Sequence, residues 1–380
     1  MKKIMILGAS ELQLPAIQCA NSMGIETIVL DFDANAIGRN EASKFYEVST
    51  LDYDKVLEIA KFEKIDGIMT ICSDRPMTVV ARVGEKLGLN TISYETALKA
   101  TDKGLMRKAL FENNVPIPQF FICRTYEDVE HAVNSIQGEC IFKPSNNSGS
   151  RGIYLYDENK NLQDAYSYSK QYSTDNIVLV EEFMKGPEVS VEAFVINGEV
   201  NIIQITDKIT TGAPYFVEMG HTQPSSLPND IQSQIRKVAI KGIQALNIDN
   251  GPAHVEIKVT EQGPKIVEIG ARLGGDYITT DLVPLSTGVN MVELTIKNAL
   301  NFPVDIKKLF LKSSAIRYIN DELEIPEEFK TKVTYYFNKD IQLSDIKSSN
   351  DRRGYYIIQT MNLDELDSVI SEIQRINERR

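Results

Sequence analysis

Two glutamates stand in the middle of successive apolar runs: Glu256 in AHVEIKV (253–259) and Glu268 in KIVEIG (265–270), separated by the turn sequence EQGP. The β-branched neighbours and the Gly-Pro turn predict an antiparallel hairpin. An isolated carboxylate on a buried face is costly, whereas one on an exposed face is routine. Two carboxylates side by side on adjacent strands repel unless a cation lies between them. A divalent metal with oxygen ligands, Mg²⁺ or Mn²⁺, is the economical expectation for Glu256 and Glu268. ARLGGD (271–276) follows at once and supplies a cation, two glycines and an acid.

A second group of residues suits phosphate. ECIFKPSNNSGSRGIYLY (139–156) delivers Lys143 on a strand whose apolar neighbours bury its stem, and Pro144 ends that strand. The following SNNSGSRG has small residues and free backbone N–H groups, which can wrap phosphate oxygens because glycine permits close approach. No Gly-Lys-Ser/Thr follows, so this is not a Walker A loop, and a hairpin tip is the plainer alternative. In NIVLVEEFMKGPEVSVEAFV (176–195), the run IVLV leads into an elbow broken by Gly186 and Pro187. VSVEAFV then resumes with Val189, Val191, Ala193 and Val195 on one face. Glu181, Glu182 and Glu188 flank the elbow; taken alone, it is a hairpin with solvated charges.

These segments need elements to hold them. Residues 1–95 alternate strands (3–8, 26–32, 45–49, 67–72) with amphipathic helices, which predicts a parallel sheet covered on both faces. Gly8 lacks the G-x-G-x-x-G spacing of a dinucleotide site. Ligands nonetheless tend to bind beyond the carboxyl ends of parallel strands, which places Ser10, Glu11, Ser73 and Asp74 near a cleft. Residues 93–113 read as helices with Ser93 as N-cap. Their buried stripe is Leu105, Met106, Ala109 and Leu110, and their solvated face is Lys103, Arg107 and Lys108. TYED (125–128) has capping-box spacing. The polar stretch 209–228, rich in Gly and Pro, reads as a loop over a site and contains His221. From about 305 onward three strands and a closing helix form a small segment with no evident chemistry.

The 380 residues carry a net charge of −12. That balance argues against nucleic acid or an anionic membrane as partner. Cys19, Cys72, Cys123 and Cys140 show no metal spacing and read as reduced thiols. No basic-then-apolar leader opens the sequence, and no apolar run reaches the roughly 20 residues that span a bilayer. The expectation is a soluble, cytoplasmic protein acting on small molecules, with a homodimer allowed.

The order Lys103, FKP with the GSRG loop, VEEFMKGPEVSVEA, HVEI and VEIGARLGGD resembles the ATP-grasp superfamily over about residues 1–300. Its elements recur in biotin carboxylase, D-alanine–D-alanine ligase, carbamoyl phosphate synthetase and bacterial L-amino acid ligases. The resemblance implies an α/β chain. A preATP-grasp, Rossmann-like parallel-sheet domain would span 1–95. An ATP-grasp fold of two α+β subdomains would span 96–304, with its nucleotide hinge near 181–188. A C-terminal α/β cap would span 305–380. It implies that Lys103 and Lys143 hold ATP phosphates and that Ser148, Gly149, Ser150 and Gly152 close over them. Glu181, Glu182, Phe183 and Met184 would form the adenine hinge, and Glu188 would hold the ribose. Glu256 and Glu268 would hold the metal. Arg272 would stabilise the carboxylate or acyl phosphate, with Lys143 sharing in catalysis. Gly274, Gly275, Asp276, His221 and Ser73 complete the expected substrate site. Where the family commonly has Asn, two residues after the second glutamate, this chain has Gly270, so one side-chain metal ligand is missing.

The implied reaction is ATP-dependent joining of a carboxylate to an amine through an acyl phosphate, releasing ADP and phosphate. The alternatives are a carboxylase-type enzyme activating bicarbonate and an inactive nucleotide-binding regulator, for which Gly270 is the only hint. An NAD-dependent dehydrogenase is disfavoured by the missing glycine fingerprint.

Overall fold

A computed structural model describes residues 1–146 and 151–378. The chain opens with β1 (Lys3–Leu7), α1 (Leu14–Ser22), β2 (Glu26–Asp31), β3 (Lys44–Glu47), α2 (Tyr53–Glu63), β4 (Gly67–Met69) and α3 (Arg75–Leu87). The four strands form a parallel sheet in the order β3-β2-β1-β4. β1 is almost uniformly apolar and buried, as a strand covered on both faces must be.

Two helices follow, α4 (Tyr94–Thr101) and α5 (Lys103–Glu112). Ser93 caps α4, and Asp102 ends it while capping α5. Within α5 the buried stripe differs from expectation. Arg107 faces inward and is buried, whereas Leu105 is 44% exposed.

A small antiparallel sheet comes next, built from β5 (Phe120–Cys123), β6 (Cys140–Pro144), β7 (Tyr154–Tyr156) and β8 (Val178–Glu182) in the order β5-β8-β6-β7. It carries α6 (Tyr126–Ser135), started by the expected capping box at Thr125 and Asp128, and α7 (Leu162–Gln171).

The rest of the chain builds one eight-stranded sheet, ordered β13-β12-β9-β10-β11-β14-β16-β15. Its strands are β9 (Glu188–Ile196), β10 (Glu199–Thr210), β11 (Glu218–Gln223), β12 (Gly251–Thr260), β13 (Gly263–Gly270), β14 (Ser313–Ile319), β15 (Val333–Phe337) and β16 (Gly354–Thr360). The helices of this part are α8 (Asn229–Ala245), α9 (Val283–Thr287), α10 (Met291–Ala299) and α11 (Leu363–Asn377). The last three strands thus extend the same sheet as the β12–β13 hairpin.

Two expectations change here. The elbow at Gly186 is not a hairpin turn, because β8 and β9 lie in different sheets and the elbow carries the chain between them. The polar stretch 209–228 is strand at its start and over Glu218–Gln223, with loop at 211–217 and 224–228. β10 runs on to Thr210, and β11 pairs with both β10 and β14. Gln223, buried at the end of β11, donates to Thr206 and accepts from Ser286.

Among the described residues no helix is long and apolar enough to cross a membrane. The four cysteines are free, as expected.

Gly186 has φ 133°, and a Cβ there would stand 2.0 Å from the Val259 carbonyl oxygen. Both the backbone conformation and the contact exclude a side chain. Gly186→Ala is expected to lose on the order of 1–3 kcal/mol of folding stability in denaturant unfolding; a midpoint equal to the parent's would contradict this account of the crossing.

Candidate active site

The small sheet and the large sheet face each other across the elbow and enclose a cavity of about 360 Å³. Ile141, Lys143 and Ile153 line it from the small sheet, Glu181 to Met184 from the elbow, and Lys208, Glu256, Val267 and Glu268 from the large sheet. Cys72 and Asp74 reach it from the loop after β4, so the parallel sheet also contributes beyond its strand ends.

One part of the cavity is an apolar slot. Ile141, Ile153, Phe183, Met184, Phe216 and Val267 line it, and the Phe183 and Phe216 rings lie 6.0 Å apart. The rest is charged, and Lys103, Lys143, Lys208, Lys258 and Arg272 there are each matched to a carboxylate. Lys103, at the start of α5, lies 3.0 Å from Glu268. Lys143 on β6 lies 2.8 Å from Glu181. Glu181 also takes two hydrogen bonds from Arg107, at 2.6 and 3.1 Å. Burial alone would push the Glu181 carboxyl up, but the Arg107 and Lys143 charges outweigh it and hold it down at about 2. The expectation of a solvated Arg107 therefore fails. Its phase with Leu110, three residues on, is the signal that would have placed it inside.

The hairpin pairs Glu256 with Glu268 in register, so the two carboxylates sit directly across adjacent strands. Glu256 accepts from Lys208 at 2.9 Å. Lys208 is buried among three acids from three strands, with Glu188 at 2.7 Å and Glu218 at 3.5 Å. Desolvation opposes its charge, but the three carboxylates raise its pKa well above the ordinary lysine value. Glu188 pairs with Lys208 and with Lys258 at 3.1 Å. Lys208 was not singled out from the sequence, because its partners are distant along the chain.

His254 was also missed. Its Nδ1 lies 2.9 Å from Glu192, and its Nε2 lies 3.5 Å from Glu256. Burial pushes the imidazolium down, yet Glu192 and Glu256 outweigh it and bring the pKa up to about 9.

At the other end of the cavity Arg272 makes a bidentate pair with Asp74, at 2.7 and 3.1 Å. Gly275 and Asp276 line this end. Gly274 lies against His254 and Glu192, where a Cβ would stand 2.7 Å from the His254 Nδ1. His221 is fully buried on β11 and lines the cavity; neither ring nitrogen has a hydrogen-bond partner among the described residues, and Nε2 lies 3.8 Å from Asp276. Asp276 is gripped by Arg352 through two bonds of 2.9 and 3.0 Å. Ser349 lines the cavity as well, so the last segment carries side chains to the site, contrary to expectation. Ser73 accepts from Gln13 and lies outside the cavity lining. Ser148, Gly149 and Ser150 lie outside the described residues.

The residues present fit a divalent cation. Two hard carboxylates face each other where lysine ammonium groups now balance them. Among the described residues no group of three or more His, Cys, Asp or Glu side chains could hold a metal. That donor set suits Mg²⁺, which is bound through one or two carboxylates and takes its other ligands from phosphate and water.

Residues 136–281 match the ATP-grasp domain family. The chain is 26% identical over 318 residues to formate-dependent phosphoribosylglycinamide formyltransferase of Saccharolobus solfataricus, covering 81% of this chain and 78% of that protein. It is 27% identical over 245 residues to alanine–anticapsin ligase of Bacillus subtilis, covering 58% and 52% respectively. Other curated relatives are longer, with matches spanning 60% of one and 24% of another. L-amino acid ligase from Bacillus licheniformis superposes with a TM-score of 0.82 at 20% identity, over 99% of this chain and 97% of that one. That likeness shows the fold, which is the mixed α/β architecture expected.

The raised His254 pKa sets a pH dependence. A group whose folded pKa exceeds its unfolded value stabilises fully below the unfolded pKa and loses that contribution as pH rises through the folded one. In metal-free buffer, stability from denaturant unfolding is expected to fall by a few kcal/mol between about pH 6.5 and the folded value of about 9. His254→Gln should flatten that slope; a parent-like slope in the variant would remove His254 as its cause.

Proposed function

We propose that this ATP-grasp chain is an ATP-dependent ligase that joins a carboxylate to an amine through an acyl phosphate, releasing ADP and phosphate. The observation that carries this reading is the Glu256–Glu268 pair facing Lys103, with Lys143 and Arg272 in the same cavity. Phosphoryl transfer requires positioning and charge neutralisation more than covalent help, and these residues supply both.

In this reading the apolar slot between Ile141, Phe183 and Phe216 takes the adenine, with backbone groups of the elbow reading its edge. Glu188 accepts from the ribose hydroxyls. Lys103 and Lys143 leave their carboxylates to hold the phosphates. Glu181 stays behind, paired with Arg107, so Lys143 moves from a fixed base. Glu256 and Glu268 hold Mg²⁺ or Mn²⁺, which when bound supplies positive charge to the transferring phosphoryl group. Gly270 adds no ligand, consistent with a metal that relies on the nucleotide for its remaining oxygens.

Arg272 suits the acid, because a planar guanidinium offers paired donors to a carboxylate or its phosphorylated form. His221 and Asp276 then border the amine. With Arg352 already balancing Asp276, an ammonium would meet a neutralised carboxylate rather than a free one.

The test is a panel of carboxylates and amines with ATP and Mg²⁺, scoring ADP, phosphate and amide separately. ADP release that requires a carboxylate, with amide formed when an amine is present, is expected. Release of AMP and pyrophosphate, or ADP formation independent of the acid, would contradict the reading. Glu268→Ala should lose about 10²-fold or more of the turnover while its thermal midpoint stays near the parent's. Mg²⁺-dependent turnover at the parent rate in that variant would sink the metal assignment.

A further inference from the structure

Asp74 stands at the N-cap position of α3 but makes no side-chain cap, although aspartate is among the residues best suited to capping. Its carboxylate instead crosses to the loop after β13. Oδ1 accepts from Arg272 Nε at 2.7 Å and Oδ2 accepts from Nη2 at 3.1 Å. Arg272 Nη1 donates to the Leu273 carbonyl at 3.2 Å.

A guanidinium has five N–H donors in a rigid fork. These contacts occupy the side-on edge and one hydrogen of Nη1. Among the described residues Nη1 and Nη2 have no further acceptor, which leaves one hydrogen on each.

Two further features hold the arrangement. Cys72 has left-handed backbone (φ 58°), and its Sγ donates to the Gly274 carbonyl at 3.3 Å, pinning the Asp74 loop to the Arg272 loop. Gly270 supplies the room: a Cβ there would stand 3.0 Å from Arg272 Cζ and Nε and 3.1 Å from Asp74 Oδ1. The absent side chain at 270 and the Asp74–Arg272 pair therefore belong to one packing solution.

We propose that Asp74 is a positioning residue for Arg272: it grips the guanidinium side-on and thereby fixes the Nη1–Nη2 edge as the seat of an oxyanion. On the ligase reading, on which this inference rests, that oxyanion is the substrate carboxylate before transfer and phosphate after it. Asp74 acts through Arg272 and does not touch the ligand.

Charge and geometry predict opposite outcomes when Asp74 is neutralised. If only charge mattered, removing a carboxylate would free Arg272 and strengthen anion binding. If alignment matters, the edge loses its fixed direction and binding weakens.

The experiment titrates inorganic phosphate calorimetrically into the full chain preloaded with ADP and Mg²⁺. Asp74→Asn is expected to weaken phosphate binding by about tenfold or more, with ADP affinity held within about twofold. Arg272→Ala should weaken phosphate binding at least as far, and adding Asp74→Asn to it should change nothing further. Gly270→Ala, which pushes on the pair without altering any charge, should weaken phosphate binding in the same direction and serves if Asp74→Asn does not fold. Unchanged or tighter phosphate binding in Asp74→Asn, or a further loss when it is added to Arg272→Ala, would overturn the proposal. So would a parent chain that binds ADP and takes up no phosphate. That result would leave the ligase reading to the acid-dependent ADP release.

Discussion

The buried contact of Glu181 with Arg107 and Lys143 is the interaction on which the rest of the site depends. Glu181 lies on β8 of the small sheet, Lys143 on β6 beside it, and Arg107 on α5. Arg107 also donates to the Val267 carbonyl at 2.7 Å, on β13 of the large sheet. One carboxylate and two cations thus join both sheets at the cavity between them. Breaking such a buried group by removing one partner costs about 3–5 kcal/mol, because the remaining charge is left in low dielectric without compensation.

The same electrostatics governs what enters. Lys103 is matched by Glu268, Lys208 by Glu188 and Glu256, and Arg272 by Asp74. A polyanion arriving alone would have to draw lysines from carboxylates that would then face one another unbalanced. On the proposed reading, a polyanion arriving with a divalent cation would exchange partners instead: the cation would take the glutamates and the lysines the phosphates, so the two ligands would favour each other's binding.

Much of this was legible in the sequence, and the reasons for what was not are physical. Glu256, Glu268 and Lys143 stood out because a charge amid Val and Ile violates strand patterning, and such violations mark functional sites. The short turn alone would set Glu256 against Val267; a β-bulge between Glu256 and Ile257 shifts the register by one residue and brings Glu256 opposite Glu268. Arg107 was hidden because its charge suggested a solvated face and Leu105 looked inward, although the phase of Arg107 with the buried Leu110 pointed the other way. β11 was hidden because its buried face is polar, and a polar strand looks like a loop until its hydrogen-bond partners are known. Lys208 and Arg352 meet acids far along the chain, as His254 does with Glu192, and no local pattern encodes those contacts. The Gly186 elbow was read correctly as a break but not as a crossing, since strand pairing is decided by the other strands.

The account stands on ATP phosphorylating a carboxylate before any amine reacts. The most direct measurement is positional isotope exchange in ATP labelled with ¹⁸O at the β,γ-bridge, with an accepted carboxylate and Mg²⁺ but no amine. Reversible formation of an acyl phosphate frees the β-phosphoryl group of bound ADP to rotate, so the label should move from bridge to non-bridge positions only when the acid is present. Amide synthesis without acid-dependent exchange, under conditions where ATP re-forms before ADP leaves, would contradict it.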